Sequence, residues 1–215
     1  MIREVFDHYD DEFDQTQEWD YDLVGNRLEQ RLDKGNDGWD AIISYEYDVN
    51  DRLLKEMLDD LTAANKDRET TYRYDHTQQT GKRVTENGVL VSETKFEYDA
   101  QGRMAKVTIM TDGRVETTSY EYGADGIRVA SEQEIYVDGE LVSKTRTEYV
   151  NDPLSLTGYS QVLKQTDYDA ENNVVKTVSY AIGHQRISQI VVENGIEQEY
   201  YFTFDGHGST RALVD

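Results

Sequence analysis

The residues best suited to acid–base or metal chemistry are His8, His76, His184 and His207, and they stand far apart in the 215-residue chain. None has a partner at metal-ligand spacing. Gly206-His207-Gly208-Ser209 brings a serine close to a histidine. A nucleophile elbow needs a strand-to-helix turn, and no helix is in prospect there, so the segment reads as a plain turn. The 44 acids raise the question of a glycosidase pair, which needs two carboxyls at a set separation. With so many acids, suitable pairs arise by chance and no catalytic pair can be singled out. Asp7, Asp10, Asp11, Glu12 and Asp14 cluster as calcium ligands do, but without the glycine and spacing of an EF-hand loop. They read as a solvated acidic strand or a fraying end. Trp19 and Trp39, the latter beside a turn, are the residues that could stack on a sugar. The expectation is therefore no catalytic residue, no metal and no cofactor, with Trp19 and Trp39 as candidate ligand contacts.

Bulk composition narrows the partners. The formal charge is -22, with 22 Lys and Arg against 44 Asp and Glu. Binding a phosphate backbone requires basic side chains that release counterions, so nucleic acid is not expected. An anionic membrane surface is disfavoured for the same reason. The apolar runs are a few residues long, too short to span a bilayer. There is no cysteine, hence no disulfide framework and no thiol chemistry. The opening MIREVFDHYDDEFDQTQEWDYD lacks the charged-then-apolar pattern of a signal peptide.

The elements that would position any site come from a repeat. An aromatic, a spacer, a tyrosine and an acid recur at Trp19 to Asp22, Tyr45 to Asp48, Tyr72 to Asp75 and Phe96 to Asp99. Tyr120-Glu121-Tyr122-Gly123 keeps the aromatics and loses the acid. Thr147-Glu148-Tyr149 and Thr166-Asp167-Tyr168-Asp169 keep one tyrosine, and Phe202 to Asp205 closes the series. From Tyr21 the steps are 26, 27, 24, 24 and 27 residues, then 19 and 36. Period-two alternation between glycine-containing turns means β-hairpins. Aromatics at i and i+2 share one face of a strand and can form cross-strand rows. The acid at the strand end suits a turn that bonds backbone N–H two residues on.

The repeat positions are Tyr21, Asp22, Gly25 and Arg27; Tyr47, Asp48 and Arg52; Tyr74, Asp75, Gly81 and Arg83; Tyr98, Asp99, Gly102 and Arg103; and Tyr122, Gly126 and Arg128. Each arginine is expected to fork onto a carboxylate or carbonyl of the adjacent hairpin. Further turns are expected at Asn36-Asp37-Gly38, Thr80-Gly81, Asn87-Gly88, Asp112-Gly113, Asp138-Gly139, Glu171-Asn172-Asn173 and Asn194-Gly195. Leu53, Leu54, Met57, Leu58 and Leu61 stand at helical spacing. The repeat step is barely lengthened there, which favours a strand to about Leu58 and an irregular loop to Arg68. Val150 to Gly158, around the single proline Pro153, reads as an irregular loop.

Tyr-Asp followed by Gly-Arg, at a period in the mid-twenties, resembles the YD repeats of the Rhs family of bacterial Rhs proteins, toxin-complex shells and teneurins. The closing YYFTFDGHGSTRALVD, residues 200–215, is similar to the segment near the end of many bacterial Rhs cores. The resemblance implies strands of a long spiralling sheet that builds a hollow shell, an extracellular or cell-surface location, and neighbouring repeats or domains of a larger protein as partners. The family's self-cleaving Asp-Pro-x-Gly motif has no counterpart here, so that activity is not carried over.

These readings combine into an all-β chain, an antiparallel meander of YD-repeat hairpins of roughly 14–16 strands, forming a strongly curved, spiral or barrel-like sheet. One domain is expected over residues 1–215, with an atypical end at 1–18. The expected role is a non-catalytic structural segment that encloses or displays a partner or toxin domain. The alternative is a carbohydrate-binding module or glycoside hydrolase acting on polysaccharide.

Overall fold

The computed structural model describes residues 2–8, 15–33, 35, 38–62, 64–154 and 158–215, with side chains from Thr16 onward. Seventeen strands form one antiparallel meander. The first eight are β1 (Ile2–His8), β2 (Gln15–Tyr21), β3 (Arg27–Asp33), β4 (Ala41–Tyr47), β5 (Leu53–Asp60), β6 (Arg68–Asp75), β7 (Gln78–Glu86) and β8 (Val89–Tyr98). Then come β9 (Met104–Thr111), β10 (Arg114–Tyr122), β11 (Arg128–Val137), β12 (Glu140–Asp152) and β13 (Gln161–Tyr168). β14 (Val174–Ile182), β15 (Arg186–Glu193), β16 (Ile196–Phe204) and β17 (Thr210–Val214) complete the chain. The number is slightly above the roughly 14–16 expected from two strands per repeat, and β1 lies ahead of the first signature at Trp19.

The chain divides into two compact units. Unit 1 is Met1–Phe96 with Ile109–Asp112, and unit 2 is Glu97–Thr108 with Gly113–Asp215. Within unit 1 each strand from β1 to β8 pairs with the next. Within unit 2 the same holds from β10 to β17. Among the described residues no ladder joins the first and last strands of either unit, so neither is a closed barrel.

Helical spacing at Leu53 to Leu61 does not produce a helix. Leu53, Leu54, Met57 and Leu58 lie in β5, with Leu58 opposite Ile43 and Arg68, and Leu61 falls just past its end. Strand pairing on both sides outweighs the local periodicity, because each residue gains ladder hydrogen bonds that an isolated helical turn would lack. The loop that follows is held by Asp60 and Asp67: Asp60 Oδ2 accepts from the Lys66 N–H at 2.9 Å, and Asp67 Oδ1 from the Asp60 N–H at 2.9 Å. At Val150 the strand does not break. β12 runs on to Asp152 by absorbing a bulge between Val150 and Asn151.

The sheet is one layer deep. In unit 1 the buried side chains are Thr70 and Val84; in unit 2 they are Ala130, Val178 and Ser188. Aliphatics such as Val89 (69% exposed), Val142 (58%) and Ile196 (65%) remain in water. Stability therefore comes from half-buried cross-strand rows rather than from a closed core.

Candidate functional site

Two kinds of turn alternate along the meander. Asn87-Gly88, Asp138-Gly139 and Asn194-Gly195 each hold both central residues at positive φ. That is the geometry whose twist matches a hairpin, and only Gly, Asn and Asp adopt it readily. At Asp112-Gly113 only the glycine does so.

The other kind is the repeat's own turn, and it is built the same way at Asp22, Asp48, Asp99, Gly123, Asp169 and Asp205. The first residue donates its N–H to the carbonyl four residues on. The residue three on then returns an N–H to the first carbonyl. That third residue (Gly25, Asp51, Gly102, Gly126, Asn172 or Gly208) has φ between +59° and +98°. The acid supplies the remaining acceptor. Asp99 Oδ1 takes the N–H groups of Gln101 and Arg103, both at 2.9 Å, and Asp48 Oδ1 takes those of Asn50 at 2.8 Å and Arg52 at 3.1 Å. Where Gly123 has replaced the acid, Asp125 Oδ1 accepts from the Ile127 N–H at 3.0 Å instead. A bulge lies opposite Tyr21, Tyr47, Tyr122, Tyr168 and Phe204: Glu46 faces Lys55 but Tyr47 faces Leu53, which leaves Leu54 as the extra residue. Such bulges tighten the local twist.

The repeat arginines interlock successive hairpins, but not in the expected way. Arg52 Nε donates to Asp48 of its own turn at 2.6 Å, and Arg103 Nε donates to Asp99 at 2.7 Å. The next hairpin supplies a tyrosine ring. Arg52 lies over Tyr74 at 4.9 Å and Arg103 over Tyr122 at 4.5 Å. The same tyrosines donate their hydroxyls to the carbonyl just past the arginine, Tyr74 to Leu53 at 2.9 Å and Tyr122 to Met104 at 2.7 Å. Arg27 sits over Tyr45 at 5.7 Å, but it stands five positions past Asp22, which bonds Asn26 instead. Its buried Nε has no partner among the described residues. Arg128 lies over both Tyr120 and Tyr149 at 5.4 Å.

Two repeat positions fall elsewhere. Asp75 pairs with Gln78 across a two-residue turn at His76-Thr77, with His76 at φ 52°. Thr80-Gly81 is therefore not a turn. Gly81 is inside β7, buried beneath the Arg73 guanidinium, and an added Cβ would lie 2.8 Å from Arg73 Nε. Arg83 is mid-strand and exposed, lining a hollow of about 500 Å³ with Met57, Asp59, Glu69 and Thr85. Tyr168-Asp169 belongs to the opposite end of its unit, because β13 runs antiparallel to the strands that carry the signature. The matching end in the series is β14, at Tyr180-Ala181-Ile182-Gly183, where Arg186 stacks on Tyr180 at 4.4 Å. The steps from Tyr149 then become 33 and 22 residues. An arginine just past a glycine turn was the available signal.

In each unit the signature aromatics share one face and most of the described ion pairs lie on the other; Arg68–Glu86 in unit 1, and Arg114–Glu116 and Lys176–Glu193 in unit 2, pair on the aromatic face. On the charged face of unit 1, Arg31 pairs with Glu18, Asp20 and Glu29, and Arg73 with Glu93. In unit 2, Arg146 forks onto Glu121 at 2.7 and 3.1 Å and also reaches Glu148, which accepts from the Tyr168 hydroxyl. Hydrogen bonding to Glu121 and then Glu148 raises the Arg146 pKa, and the Arg146 bond lowers that of Glu121. The Arg52 guanidinium holds the Asp48 carboxyl below its ordinary value. At Asp99, desolvation pushes upward, but the Arg103 N–H and guanidinium outweigh it. The carboxyls that shift (Asp22, Asp48, Asp99, Asp169, Asp205, Glu121 and Glu134) all shift downward. A glycosidase general acid needs the opposite shift.

Trp19 is half-buried in β2 on the face of Tyr21, and Trp39 is half-buried just ahead of β4. Ser209 and His207 sit in a repeat turn, where both give their backbone N–H to Asp205 at 2.9 Å. The acidic cluster from Asp7 to Asp14 lies outside the described side chains, as do Asn36 and Asp37 of one expected turn. Among the described residues no group of three or more His, Asp or Glu is placed to hold a metal ion.

No family model matches the sequence, and no curated protein matches it. Among solved structures, a porin-like protein from Bacteroides uniformis aligns with a TM-score of 0.39 and 15% identity, covering 92% of this chain and 91% of that one. TcdB2-TccC3 without its hypervariable C-terminal region aligns with a TM-score of 0.40 and 14% identity. That alignment covers 94% of this chain but 13% of the other.

Proposed function

We propose that this chain is a structural segment of a YD-repeat, Rhs-type wall that encloses or displays a partner domain, without catalysis of its own. The observation that carries the reading is the single-layered sheet. Five described side chains are buried, and aliphatics such as Val89, Val142 and Ile196 are left exposed. A sheet of this kind is completed by what lies against it: neighbouring repeats, another domain of a larger protein, or the partner it covers. The Asp–Arg–Tyr interlock serves the same end, because at Asp48–Arg52–Tyr74 and Asp99–Arg103–Tyr122 it ties one hairpin to the next without needing a core. An extracellular or cell-surface location follows from the family resemblance and belongs to the same proposal.

The test joins two assays on the purified chain. Incubation with soluble and insoluble polysaccharides, followed by reducing ends released, is expected to show no turnover. The dye ANS is expected to bind strongly to the folded chain through its uncovered aliphatics. Sugar release would overturn the reading. So would a chain that binds no dye and sediments as a compact monomer.

A further inference from the structure

The aromatic face of unit 2 carries one patch unlike the rest of the chain. Register aligns Tyr120, Ser131 and Thr147 as one row across β10, β11 and β12, and Thr118, Gln133 and Thr145 as the next. The six side chains line a hollow of about 290 Å³. Spacings of about 5 Å between strands and about 7 Å between alternate residues make the patch roughly 10 Å by 7 Å. None of the six is charged, in a chain where 31% of residues are. The corresponding rows of unit 1 read Tyr45, Glu56, Thr70 and Ile43, Leu58, Arg68, which mix charge with aliphatics.

The hollow has a cause in the repeat. Thr147 occupies the place of the first signature aromatic, where β4 has Tyr45 and β6 has Tyr72. Losing that ring opens space between Tyr120 and Thr147. The hydroxyls that line it are not used up internally. Thr147 Oγ1 donates to Asp167 at 2.8 Å, so its oxygen remains to accept. Gln133 offers two donors and an acceptor from an exposed position, and the hydroxyls of Thr118, Ser131 and Thr145 serve as either. Arg128 packs over Tyr120 at 5.4 Å and holds the ring in place.

Convergent neutral donors and acceptors beside a fixed aromatic ring suit a ligand with many hydroxyls, no charge and one apolar face. We propose that this patch is a subsite for one neutral sugar ring of a glycan, with the ring's C–H face laid on Tyr120 and its hydroxyls met by Gln133, Thr118, Thr145 and Thr147. The volume sits near the lower limit of small-ligand sites, about 300 Å³, which fits one ring rather than a buried oligosaccharide.

The test is a ¹⁵N NMR titration of the whole chain with cellohexaose, maltohexaose, laminarihexaose and mannohexaose, and with an oligogalacturonate as the anionic comparison. At least one neutral oligosaccharide is expected to shift the amides around Thr118, Ser131, Gln133, Thr145 and Thr147. Gln133→Ala and Thr145→Val, both at exposed positions, are expected to weaken that binding about tenfold each while leaving the urea midpoint unchanged. The proposal is overturned if all four neutral sugars leave these amides unmoved. Binding that ignores both substitutions, or the oligogalacturonate binding as well as the neutral sugars, would overturn it equally.

Discussion

Replacing Tyr122 by phenylalanine isolates one strand of the interlock. The substitution keeps the ring under Arg103 and removes only the hydroxyl, which donates to the Met104 carbonyl at 2.7 Å from a half-buried position. Losing that bond is expected to cost about 1 kcal/mol. For a chain of this length, that lowers the unfolding midpoint by about 2–4 °C. Tyr122→Leu also removes the face on which Arg103 rests at 4.5 Å, worth about 0.5–1 kcal/mol more. Thermal unfolding followed by far-UV circular dichroism measures both variants. Combining each with Arg103→Met closes a double-mutant cycle. The leucine variant should show coupling to Arg103, and the phenylalanine variant close to none. The interlock is refuted if Tyr122→Phe is as stable as the parent, or if Tyr122→Leu costs no more than Tyr122→Phe. Tyr74→Phe provides a second trial in unit 1, where the same hydroxyl bond reaches Leu53.

Other consequences are equally direct. Gly102→Ala forces a side chain into φ +79° and should cost about 1 kcal/mol or more. Gly81→Ala meets only the movable end of Arg73 and should be nearly neutral in the same thermal melt. The turn carboxyls Asp48, Asp99 and Asp205 have lowered folded pKa values, so the unfolded chain takes up protons first. Their stabilisation is present above about pH 4 and is lost as pH falls through the folded values; Asp48→Asn should flatten that acid limb of the melting curve. At a net charge of -22, added salt should raise the neutral-pH midpoint by screening self-repulsion, and a fall on going from low to moderate salt would contradict this.

Much of the fold was legible because a hairpin repeat writes both its period and its turn chemistry into the chain. Aromatic-x-Tyr-Asp marks a strand end, and the acid's bonds to the turn N–H groups are local, so Asp22, Asp48 and Asp99 could be placed from spacing alone. Three features escaped. Asp75 carries the signature, but the chain turns two residues later, so Gly81 looked like a turn glycine while lying in a strand. Tyr168-Asp169 copies the motif at the opposite end of its unit, because it closes β13, one strand after Tyr149 instead of two. The arginines' true partners also escaped, since a guanidinium that bonds its own turn while stacking on the following hairpin needs the register to be known. The six-residue hydroxyl patch was invisible for the same reason. Thr118, Gln133 and Thr145 lie on three strands and meet only through pairing.

The proposed wall role requires that, within each unit, one face of the sheet lies against a partner and the other stays in solvent. Lysine footprinting with an acylating reagent reads that asymmetry. Lys82 of unit 1 and Lys176 of unit 2 lie on the tyrosine faces, while Lys55 and Lys95, and Lys144 and Lys164, lie on the opposite faces. In the purified chain, both sets should react. In the cells that make the protein, one set within each unit should become protected while the other stays reactive. Equal reactivity of both faces in both preparations would contradict the account.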